Sequence, residues 1–159
     1  MKTLIKMSML FFLLSRVAIA DCTTYSEVRG YKIGCPFTDE SFQQTYQKND
    51  LARYEKQFDD GMFDTVEVYI INGNIEGIDF TAERSMTNEE KADILQLVHI
   101  EYGETQDDGF GAYSVSVDDG MLAVINFLSD ASANDGKSSL LYLSKTFMAR
   151  LEKNNLVAQ

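Results

Sequence analysis

The densest run of residue types able to do chemistry is Ala131-Ser132-Ala133-Asn134-Asp135-Gly136-Lys137-Ser138. Its spacing follows a phosphate-binding loop, with alanine in place of the first glycine. Such a loop works because glycine-rich backbone amides wrap the phosphates and a helix begins directly behind them. Here Ser139-Leu140-Leu141-Tyr142 follows and reads as a strand, and Asp135 would repel phosphate. A polar surface loop is expected instead. Within the same run, Asp130, Ser132 and Asn134 are spaced like alternate oxygen ligands for calcium. Asp135 and Leu141 stand where a calcium loop needs glycine and glutamate, so no dedicated metal site is expected. The acidic pairs Asp59-Asp60, Asp107-Asp108 and Asp118-Asp119 offer adventitious cation contacts only.

His99 is the only histidine. One histidine cannot build a zinc cluster without carboxylate help, and no activated nucleophile is evident for it to serve as base. Ser144 and the Ser114/Ser116 pair lack the flanking glycines of a nucleophile elbow. His99 is expected at the surface or boundary of a helix. Paired carboxylates could hydrolyse glycans, but among 25 acidic residues no spacing singles out one pair, and there is no tryptophan to stack a sugar. No cofactor motif is present, and no catalytic residue is assigned.

Two chemistries remain. Cys22 and Cys35 are the only cysteines. Their spacing is too wide for a redox motif, and in an exported chain it suits a structural disulfide. Such a bridge adds about 3 kcal/mol in the chain-entropy model. The second is a contact face formed by Glu67, Tyr69 and Asp79. An aromatic among acids on an outward strand face can anchor a partner, whereas packing beneath another element would give it a purely structural role.

The elements that must position these residues follow from pattern. Met1 to Ala20 has the layout of a cleavable export signal: Lys2 and Lys6, an apolar run from Met7 to Leu14, then Val17-Ala18-Ile19-Ala20. Arg16 interrupts the run too early for a membrane span, and Asp21 before Cys22 is a poor lipoprotein signal. Cleavage after Ala20 leaves one α+β domain, residues 21–159, without membrane insertion and periplasmic or secreted. Losing Lys2, Lys6 and Arg16 takes the formal charge from −11 to −14. That sign repels nucleic acid and anionic membranes; it favours solubility and would steer a basic partner.

Tyr31 to Cys35 reads as a short strand. Thr38 reads as the cap of a helix ending near Asn49-Asp50, with Phe37 and Phe42 as its hydrophobic staple. Leu51 to Phe58 alternates weakly as a strand. Thr65 to Ile71 and Ile75 to Thr81 form a β-hairpin around Asn72-Gly73-Asn74. Pairing Ile71 with Ile75 gathers Val66, Val68, Ile78 and Phe80 on one face, with Glu67 and Asp79 on the other. Thr87 with Glu90 is a capping box before a helix striped by Ile94, Leu95, Val98 and Tyr102 and stopped by Gly103 in a left-handed cap. Glu104 to Asp108 reads as a solvated loop. Tyr113 to Val117 and Met121 to Leu128 form a second hairpin turning at Asp118-Asp119-Gly120. Ser139 to Leu143 is a last strand, and Ser144 caps a helix carrying Phe147, Met148 and Leu151, with a frayed tail after Asn154.

This pattern predicts an α+β fold: a mainly antiparallel sheet built from β-hairpins, with helices packed on one face. Its small acidic character points to a non-enzymatic domain of the inhibitor, immunity or envelope-accessory type that binds a protein with a basic surface. The alternatives are a small hydrolase of envelope polymers, or a carrier or sensor holding a small apolar ligand against Val66, Val68, Ile78 and Phe80.

Overall fold

The computed structural model describes residues 22, 26–84, 86–107, 109, 111–117, 120–125 and 137–157. Within them the chain forms β1 (Ser26–Val28), β2 (Tyr31–Ile33), β3 (Gln43–Lys48), β4 (Leu51–Gln57), β5 (Thr65–Ile71), β6 (Asn74–Ala82), α1 (Asn88–Tyr102), β7 (Gln106–Asp107), β8 (Tyr113–Val117), β9 (Gly120–Ile125), β10 (Ser138–Ser144) and α2 (Lys145–Val157). Strands β1 and β2 make a separate hairpin. The other eight lie in the order β3-β4-β5-β6-β10-β9-β8-β7, and every pair is antiparallel. The sheet is thus two four-stranded meanders meeting at β6 and β10, each followed by a helix. The α+β class and the antiparallel, hairpin-built sheet agree with the sequence pattern.

The β5–β6 hairpin fixes the central register. Val66 faces Phe80, Glu67 faces Asp79 and Val68 faces Ile78, as the alternation predicts. Nearer the turn the pairing shifts: Tyr69 faces Gly77, but Ile70 faces Ile75 and Ile71 faces Asn74. Glu76 is the extra residue of a β-bulge. The shift replaces the expected three-residue loop with a two-residue turn, Asn72-Gly73, at φ 52° and 84°. Positive φ at both positions gives the mirror-image turn whose twist matches the flanking strands.

Alternation sorts the side chains into two layers. Val66, Val68, Ile78 and Phe80 are fully buried in one large cluster. Ile94 and Val98 of α1 cover it, with Val28 and Ile33 of the β1–β2 hairpin. The opposite face carries a smaller cluster of Ile71, Leu143 and Phe147, the last from α2. The helices therefore divide between the two faces: α1 and the small hairpin cover one, and α2 covers part of the other.

The N-terminal caps of both helices form as their residues suggest, whereas Gly103 stops α1 without taking the expected left-handed cap. Thr87 Oγ1 accepts the Glu90 N–H, and a Glu90 carboxylate oxygen accepts the Thr87 N–H at 2.8 Å. Gly103 ends α1 at φ 105° and ψ −169°, outside the left-handed helical well. Ser144 Oγ accepts the Phe147 N–H at 3.0 Å.

The expected helix from Thr38 to Asn49 is instead a turn followed by the edge strand β3. Asp39 Oδ1 accepts both the Ser41 N–H (2.9 Å) and its hydroxyl (2.5 Å), a local loop that competes with helix initiation. Phe37 and Phe42 do meet, at 5.2 Å between ring centroids, but Phe42 is buried against Tyr31 rather than along a helix. Asn49-Asp50, read as a helix end, is the turn between Lys48 and Leu51. The acidic stretch after Gly103 is also not wholly a loop, since Gln106 and Asp107 pair with Ser114 and Tyr113. The export signal, Asp108, Asp118-Asp119 and the phosphate-loop-like residues 131–136, with the calcium-like Asp130, Ser132 and Asn134, lie outside the described residues.

Candidate functional site

Glu67, Tyr69 and Asp79 come together on the sheet face away from α1. Period-two alternation along β5 puts Glu67 and Tyr69 on that face, and the hairpin register sets Asp79 directly across from Glu67. The Tyr69 hydroxyl donates to Glu67 Oε2 at 2.8 Å. Arg53, which faces Tyr69 from β4, places Nη1 3.6 Å from Glu67 Oε1, and 22% of the Glu67 side chain remains exposed.

The electrostatics follow from crowding acids where water is scarce. Burial, then the neighbouring Glu67 charge, pushes the Asp79 carboxyl up to about 6 against hydrogen bonds from Ser139 and Thr81. Asp79 Oδ1 is buried without a hydrogen-bond partner. Burial, then Glu67, also raises the Tyr69 phenol. The cluster is therefore short of positive charge. It can hold a proton on Asp79 near pH 6 or accept a cationic donor.

Tyr69 is half-buried. Its ring lies 5.3 Å from that of Phe147 on α2 and fills the space above Gly77, where an added Cβ would stand 3.3 Å from Tyr69 Cδ2. Packing beneath α2 accordingly accounts for much of its ring, leaving Glu67 and Arg53 as the exposed part. Arg53 and Ser139 escape sequence reading because pairing with β4 and β10 delivers them, whereas Thr81 lies two residues along β6 from Asp79 and is open to the same alternation.

On the other side of the sheet, α1 and the β1–β2 turn enclose a hollow of about 90 Å³, lined by Val28, Met62, Phe63, Ile94, Leu97 and Val98 among others. None of the four residues expected to line a ligand pocket borders it. The Arg29 guanidinium closes one wall. It pairs with Asp60 and sits 5.3–5.8 Å from the ring centroids of Phe58, Phe63 and Phe80. Tyr102, also at this hollow, donates its hydroxyl to the Glu27 carbonyl at 3.2 Å, and burial followed by the Glu101 charge pushes its phenol up to about 12.

The disulfide between Cys22 and Cys35 is formed, across a Cα–Cα distance of 5.2 Å. His99 is exposed on α1. Lys137, the lysine of the phosphate-loop-like run, is exposed and pairs with Glu83 at 2.7 Å. Among the described residues, no group of three His, Cys, Asp or Glu side chains is gathered for a metal ion, and no helix is long and apolar enough to cross a membrane. Comparison with protein families, curated proteins and solved structures finds no match for this chain.

Proposed function

We propose that this is an exported, non-enzymatic protein of the periplasm or extracellular space that binds a macromolecule with a basic surface. The observation that carries this reading is the Glu67–Asp79 pair. Two carboxylates face each other across neighbouring strands, one Arg53 nitrogen approaches only Glu67, and Asp79 Oδ1 has no donor. A lysine or arginine brought to this face would relieve the like-charge repulsion. The formal charge of −11 extends the attraction beyond contact range. The disulfide and the leader-like first twenty residues support an oxidising compartment.

The hydrolase reading draws on the same Asp79, as a carboxyl that keeps its proton near pH 6. One experiment addresses both. The disulfide-bonded protein is immobilised and challenged with envelope extract at low salt, beside a Glu67→Gln/Asp79→Asn variant. A species retained by the wild type, released by salt and lost on the variant supports binding. Retention by both forms alike sinks the assignment to this face. Release of soluble fragments from envelope polymers by the wild type alone would make it an enzyme.

A further inference from the structure

The outward face of α1 carries an arrangement that core packing does not explain. Asp93, Leu97, Ile100, Glu101 and Glu104 recur at spacings of three and four, so they share one side of the helix and its end. All five are exposed. Leu97 is 52% and Ile100 68% exposed, whereas Ile94 and Val98, on the sheet side, are buried. Leu97 and Glu101 also line the hollow beneath the helix edge. Two bare aliphatic side chains, an adjoining apolar hollow and three flanking carboxylates therefore form one continuous surface. None of the five positions is basic; Arg29 at the hollow pairs with Asp60 and also lies in the field of Glu101.

We infer that this face receives a basic segment of a partner protein, with an aliphatic side chain of that segment seated in the hollow. The inference rests on the reading of the protein as a binder of basic macromolecules, and adds a contact on the opposite side of the sheet from Glu67 and Asp79. Charge selects the occupant. A second copy would set Asp93, Glu101 and Glu104 against themselves, and an anionic lipid surface would be repelled. A cationic segment meets the carboxylates of Asp93 and Glu104 while covering Leu97 and Ile100. The hollow of about 90 Å³ is on the scale of one side chain, and its mainly apolar lining suits a leucine or methionine of that segment. A desolvated side chain in a recess, ringed by polar contacts that exclude water, is the usual energetic centre of a protein interface.

The test uses the disulfide-bonded protein and a synthetic helical peptide of lysine and leucine arranged with one apolar face. Two controls accompany it: the same peptide with every leucine replaced by serine, and one with glutamate replacing lysine. Binding is read by anisotropy and by methyl NMR. The lysine–leucine peptide should bind at low salt and shift the Leu97, Ile100 and Val98 methyl signals, and neither control should do so. The Leu97→Ser/Ile100→Ser variant should bind it at least tenfold more weakly while staying folded, with a cooperative unfolding transition and only a small drop in Tm. In Glu67→Gln/Asp79→Asn the peptide should still shift the Leu97, Ile100 and Val98 methyl signals, whatever affinity that variant loses at its own face. Equal binding of the serine peptide, or full affinity in the Leu97→Ser/Ile100→Ser variant, would overturn the inference. Affinity lost only in Glu67→Gln/Asp79→Asn would also overturn it, while leaving the broader binding reading intact.

Discussion

The Ser144 hydroxyl donates to Glu76 Oε2 at 2.5 Å across 68 residues of sequence, while the same oxygen accepts the Phe147 N–H at 3.0 Å. One buried hydroxyl thus caps α2 and satisfies a buried carboxylate. Glu76 is in reach because it is the extra residue of the β6 bulge. Removing the hydroxyl loses a cap and strands an acceptor. Ser144→Ala should cost about 2–3 kcal/mol in urea unfolding, and Glu76→Gln, which keeps an acceptor, clearly less. A loss below about 0.5 kcal/mol for Ser144→Ala would show that the two contacts carry little stability.

Asp79 makes stability depend on pH in a defined direction. Its folded-state carboxyl lies near 6, above the ordinary 3.8, so between those values the folded protein holds a proton that the unfolded chain has lost. The fold is therefore favoured at the acid end of that window and loses stability as pH rises through about 6. Asp79→Asn should flatten the slope between pH 4 and 6 and raise stability at pH 7.5, by an amount on the order of 3 kcal/mol at most. Glu90 acts in a lower window. Arg84, then the Thr87 amide, pulls it down to about 2, so its contribution is lost only as pH falls below about 4.5. Unfolding curves at half-unit pH intervals separate the two; an unchanged slope in Asp79→Asn would refute the assignment.

Two glycines should fail for different reasons. Gly73 has φ 84° and open space where a Cβ would stand, so Gly73→Ala meets only backbone strain, about 1–2 kcal/mol. Gly120 is crowded: a Cβ would stand 2.5 Å from the Leu143 carbonyl and 3.1 Å from Ser144 Cα. Backbone cannot swing aside as a side-chain tip can, so Gly120→Ala should be the more damaging, by about 2–3 kcal/mol or more. Equal midpoints in denaturant for the two variants would contradict this order.

The disulfide closes a loop with a sequence separation of 13. Cys22→Ser/Cys35→Ser should lose about 3 kcal/mol of stability, and reductant should lower the Tm of the wild type but not of this variant. A variant as stable as the wild type would leave the bridge without a stabilising role.

Where neighbouring residues decide the outcome, the sequence is legible. The Thr87–Glu90 box, the Ser144 cap, and the alternation that parts Val66 and Val68 from Glu67 and Tyr69 all act within a few residues. The cysteine pairing follows because only one pairing exists. The segment from Thr38 to Asn49 is not legible in this way: the spacing of Phe42 and Tyr46 fits a helix. Pairing along β4 and burial of Phe42 against Tyr31 override that local pattern.

Residues 65–81 by themselves determine which side chains of the central hairpin share a face, because a period of two allows only two choices. Only the tertiary structure decides that Glu76 bulges, that α1 and α2 take opposite faces, and that Arg53 reaches Glu67 while Leu97 and Ile100 stay bare. These depend on strand order and on which surfaces remain to be covered once the sheet has formed, and such long-range competition leaves no periodic mark in the chain.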